Sequence, residues 1–145
     1  MTEDEAAALQ PLALKLLATR AGPDAGADAV ATAARSAYDD LARVSVPLIG
    51  ETGLNTLAGR AFHLARLMHP CLVQPHASPK PEDSFAPLAT CLRQQPPIVA
   101  LDAAAAVFAI LAALLVAFIG EALTLQLLRQ AWPDAFPGAG RSQQA

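Results

Sequence analysis

The chain has 145 residues, a formal net charge of −3, and 54% apolar against 16% charged and 5% aromatic residues. That length suits one domain able to bury a real core, and the ten Lys and Arg residues, scattered singly, leave no basic stripe for a nucleic-acid backbone. The acidic start MTEDEAAALQ has none of the positive charge of an export or transit signal, so Cys71 and Cys91 read as reduced thiols in a bacterial-type cytoplasm rather than as a disulfide framework.

Ala and Leu lead the helix-propensity ranking, while β-branched and aromatic residues never alternate over a convincing run, so the fold reads as all-α. A first helix is expected over residues 2–21, with Leu9, Leu12, Leu16 and Leu17 on its apolar face and Pro11 kinking it or marking its first turn. After AGPDAGAD, Asp28 is expected to cap a second helix over 28–46, where Val30, Ala34, Ala37, Tyr38, Leu41 and Val44 keep helical spacing. Asp39 and Arg43 lie four apart on it and should pair at the surface, for a few tenths of a kcal/mol. Pro47 should end that helix, and a third should run over 50–68 until His69 and Pro70 stop it.

Residues 69–83 then read as a proline-rich loop. Ser84 is placed as the cap of a short helix over 85–95, with Pro87 in its first turn. A long apolar helix follows, over 99–131 if Gly120 does not break it, and residues 133–145 read as a flexible tail. The expectation is one helical domain over 1–132: a compact bundle of about five helices around a long Ala/Leu-rich C-terminal helix.

Ala103 to Gly120 runs eighteen residues without a charged or polar side chain, and eight of the eighteen are Ala. That length is at the lower limit for a bilayer span, but Ala adds little transfer energy, and the apolar pattern continues into EALTLQLLRQAW rather than stopping at a charged anchor. A buried core helix is therefore preferred, with a single span at 103–120 and an inner-membrane location as the alternative. Asp102, Ala106, Ala109, Ala113, Ala117 and Gly120 form one narrow stripe on which another helix could pack closely.

LIGETGLNTLAGRAF from Leu48 and FIGEALTLQLLRQAW from Phe118 echo each other seventy residues apart. Ile49 and Ile119, Gly50 and Gly120, Glu51 and Glu121, Leu57 and Leu127, and Ala61 and Ala131 coincide, and Phe62 matches Trp132. The identities are too few and too rich in Ala and Leu to establish a duplication. Both Glu residues project beside the apolar arc, so they are expected either as first-turn carboxylates or as buried ones paired with Arg60, Arg66 or Lys15.

His63, His69 and His76, with Cys71, are the one local gathering of metal-capable side chains, but their spacing matches no ligand pattern. No GxSxG elbow, P-loop or GxGxxG occurs, and the Glu-x-x-His that accompanies bundle carboxylate sites is missing. No catalytic residue, metal or cofactor is assigned. By elimination the chain reads as a non-catalytic interaction or regulatory module, self-associating or bound to a larger bacterial protein. Its candidate surface is Ala106, Ala109, Ala113, Ala117 and Trp132. The further alternative is a small-ligand or metal-binding protein using Glu51 and Glu121 or the His cluster.

Overall fold

The computed structural model describes residues 3–24, 26–70, 72 and 86–135, with the backbone alone for 3–8, 86 and 87. Within them lie six α-helices and no strand, so the chain is an all-α bundle: α1 (Glu3–Ala21), α2 (Ala27–Ile49), α3 (Glu51–Met68), α4 (Ala86–Arg93), α5 (Pro97–Ile119) and α6 (Glu121–Ala131). The expected long final helix is two helices, because Gly120 breaks it. A short 3-10 turn, Pro133–Ala135, follows α6, and its Ala135 is buried.

Local chemistry accounts for the boundaries. Pro47 does not end α2: it forfeits one amide bond and crowds the carbonyl one turn before it, yet the helix continues to Ile49, where Gly50 N–H donates to the Val46 carbonyl at 2.8 Å. Asp28 is not the cap of α2; Gly26 holds that position, and Asp28 lies exposed in the first turn. Pro96 and Pro97 open α5, where fixed φ and absent amide donors cost nothing. The expected cap Ser84, and most of the proline-rich loop, lie outside the described residues.

The two central helices, α2 and α5, are each 23 residues long and begin and end seventy residues apart. Each of the outer helices α1, α3, α4 and α6 packs against both of them, most extensively α1 against α5. Exchanging α1 with α4, α2 with α5 and α3 with α6 leaves this pairing pattern unchanged. The halves therefore share a packing pattern and are intertwined, each first helix packing most on the other half's central helix, although α4 and α6 are shorter than α1 and α3. The sequence echo spans the junction after the central helix in each half.

The core follows the Ala-rich helix. Every residue of α5 from Ala103 to Leu115 is buried, and small side chains let neighbouring helices approach closely. Phe108 meets Trp132 edge to face, ring centroids 5.6 Å apart. Among the described residues α5 alone is long and apolar enough to cross a membrane, yet 78% of its most apolar window is covered by the rest of the chain.

Candidate interaction surface

The two elbows have the same geometry. Gly50 (φ 85°, ψ 157°) and Gly120 (φ 96°, ψ 157°) each take the backbone through a positive-φ conformation closed to side-chain-bearing residues, which is why a glycine stands at both breaks. Each accepts the first amide bond of the next helix, from Leu54 and Thr124 respectively, both at 3.1 Å. Glu51 and Glu121 thereby become first-turn residues of α3 and α6, where the free amides favour a carboxylate.

Both carboxylates are exposed. The expectation of buried carboxylates is therefore corrected, and neither pairs with Arg60, Arg66 or Lys15 among the described residues. Lys15 and Arg60 are exposed; Arg66 lies over the Phe62 ring at 5.8 Å and contacts His63 Nδ1 at 3.3 Å. A half-turn of backbone placed the glutamates outside: once the helices start at the glycine, their buried faces are set by Leu54, Ala61 and Phe62 in α3 and by Thr124, Leu127 and Leu128 in α6.

The elbows lie at the same end of the molecule. His69, just past α3, approaches Asp102 near the start of α5 at 3.9 Å, while Ala58 and Phe62 share a small cavity with Val107, Phe108 and Leu111. Later residues of α3 thus meet earlier residues of α5, and the helices run antiparallel. The start of α3 then lies beside the end of α5, bringing Gly50 and Gly120 together. Just before each glycine, Leu48 and Phe118 occupy equivalent positions and are 49% and 61% exposed.

The other expected surface residues are not available. Ala106, Ala109, Ala113 and Trp132 are all at most 1% exposed, and only Ala117 of that set reaches solvent. The small-residue stripe serves packing inside the chain. Trp132 closes the bundle, its indole N–H donating to the Ala37 carbonyl. Among the described residues no three His, Cys, Asp or Glu side chains gather as metal ligands; Cys71 and His76 lie outside them, and Cys91 is buried.

Sequence reasoning missed Arg20. From the last turn of α1 it donates to Asp40 at 2.8 Å, Ser36 at 3.1 Å, both carboxylate oxygens of Asp134 at 3.0 and 3.2 Å, and the Ala131 carbonyl at 3.4 Å. All five guanidinium N–H groups are spent on the protein. Burial opposes the charges here, but the bonds win: Arg20 is held above its ordinary pKa by Asp134 and Asp40, and Asp40 below its own by Arg20 and Arg43. An open groove of about 530 Å³ beside Arg20 and Asp28 gains no free donor from this guanidinium. Arg43 pairs with Asp40 at 2.9 Å, not with Asp39, which Arg35 takes at 3.3 Å.

Comparison with protein-family models, curated proteins and solved structures found no match to this chain.

Proposed function

We propose that this chain is a non-catalytic, cytoplasmic protein-interaction module whose docking surface is the elbow end of the bundle. The observation that carries the reading is the exposure of Leu48 and Phe118 at matching positions two residues before the elbow glycines; Leu67, Met68 and Ile98 are more exposed still, but none has an apolar counterpart seventy residues away. Scattered exposed apolar residues are ordinary; a pair at matching positions at one end, each beside a backbone break that only glycine makes easily, supports a docking surface there.

Fractionation followed by titration of the soluble protein with a hydrophobic fluorescent dye tests it. The module reading expects recovery without detergent and dye binding that falls in a Leu48→Gln/Phe118→Gln double variant. Unchanged dye binding in that variant would overturn it. The alternative, a single membrane span, is supported by the length and mean hydropathy of 2.6 of the Pro97–Ile119 helix. It expects recovery only in alkali-resistant membranes, which would equally remove the module reading.

A further inference from the structure

We propose that the elbow end binds a cationic amphipathic helix of another protein, an inference that rests on the interaction-module reading and names the partner's chemistry. Leu48 and Phe118 supply apolar contact from the two elbows, and the exposed carboxylates of Glu51 and Glu121 stand three residues beyond them in each half. A helix with an apolar stripe edged by Lys or Arg matches that pattern of apolar centre and acidic flanks.

The charge at this end is not cancelled by the backbone. At Gly50 the C-terminus of α2 meets the N-terminus of α3, and at Gly120 the C-terminus of α5 meets the N-terminus of α6. Opposite helix-end charges of about half a unit offset each other at each elbow, leaving the glutamates as the net charge. The basic residue nearest before the first elbow, Arg43, is engaged with Asp40. A second copy docked end to end would bring two pairs of like carboxylates together, and an anionic lipid surface would meet the same repulsion.

Fluorescence anisotropy with a labelled synthetic helix carrying one Leu face and one Lys face, titrated with the full chain, tests this directly. Binding is expected to weaken about tenfold in Leu48→Gln/Phe118→Gln, in the range typical of apolar anchors. Glu51→Gln/Glu121→Gln should weaken it and flatten its salt dependence, while Asp28→Asn, removing a remote exposed carboxylate, should leave it unchanged. Circular dichroism and thermal unfolding of each variant establish that the fold is intact.

Equal affinity in all variants, equal binding of a Leu/Glu helix, or binding to phosphatidylglycerol vesicles in place of the Leu/Lys helix would overturn the proposal. So would concentration-dependent dimerisation abolished by the Leu48/Phe118 variant. The two readings fail separately: if the dye binds at Leu48 and Phe118 but the Leu/Lys helix does not, the interaction surface stands and the cationic helix is wrong. If neither binds there, both fall.

Discussion

The indole nitrogen of Trp132 lies 2.9 Å from the carbonyl oxygen of Ala37, tying the end of the last helix to the middle of α2 across ninety-five residues of chain. The ring is 1% exposed and meets Phe108 edge to face, so one side chain joins both central helices to α6. Trp132→Phe keeps most of the apolar volume and loses the hydrogen bond, and should cost about 1–2 kcal/mol. Trp132→Ala should cost about 3–5 kcal/mol, as large-to-small core changes do. Urea unfolding followed by circular dichroism measures both; equal losses would mean that the indole N–H contributes nothing beyond its ring.

Arg20 makes stability depend on pH. The folded pKa of Asp40 lies below its unfolded value, because the bonds from Arg20 and Arg43 outweigh its burial. A depressed carboxylate contributes stability that is fully present above its unfolded pKa and is lost as pH falls through the folded one. Denaturant midpoints should therefore fall from about pH 5 to pH 3 in the native chain, and fall less steeply in Arg20→Ala. The variant should also lose about 1–3 kcal/mol near neutrality, since it leaves Asp40 and Asp134 without their shared partner. Parallel pH profiles for the two proteins would show that Asp40 does not carry the dependence.

One seam of the bundle is polar where its counterpart is not. Ser45 and Thr124 are fully buried with unpaired hydroxyls, and counting eight residues along each helix from the Ala37–Trp132 contact places them opposite each other between α2 and α6. Seventy residues away in either direction, the equivalent positions are Leu115 and Leu54, both buried. An unpaired buried hydroxyl carries a desolvation cost, so Thr124→Val, which preserves shape, should raise stability by about 1 kcal/mol. Ser45→Ala should be neutral or slightly stabilising. A clear loss of stability in Thr124→Val would show that its hydroxyl has a partner in solution.

Residue type alone made much of this fold legible, and long-range pairing did not. Ala and Leu without alternating β-branched runs announced helices, and Gly followed by Glu marked both elbows. Pro47 misled, because a helix held by its packing can carry the lost amide and the crowded preceding turn of a proline through to its end. The seventy-residue echo is sparse because the halves share residues only around the elbows; elsewhere they share the length of the central helix and the packing partners, while α4 and α6 are shorter than α1 and α3. Arg20 gave no signal, since Asp134 lies 114 residues away and becomes its neighbour only through the turn after Trp132. Leu48 and Phe118 were present in the echo, but their exposure follows from where the elbow turns the chain.

The equivalence of the elbows makes a paired prediction. At Gly50 and Gly120 an added Cβ would meet no atom within 4 Å, so Ala at either site suffers no clash and is opposed by the backbone conformation alone. A side-chain-bearing residue at positive φ with extended ψ costs on the order of 1–3 kcal/mol. Gly50→Ala and Gly120→Ala should therefore destabilise by similar amounts, and because the two elbows lie side by side the double variant reads any coupling between them as a departure from the sum. Gly59, inside α3 with open space at its Cβ position, provides the contrast: Gly59→Ala should stabilise the helix by about 0.5–1 kcal/mol. Thermal and urea unfolding of the four variants decide it. Unequal losses at Gly50 and Gly120 would mean that the elbows differ energetically despite their shared dihedral angles, and a gain at either would remove the backbone conformation as the reason a glycine stands there.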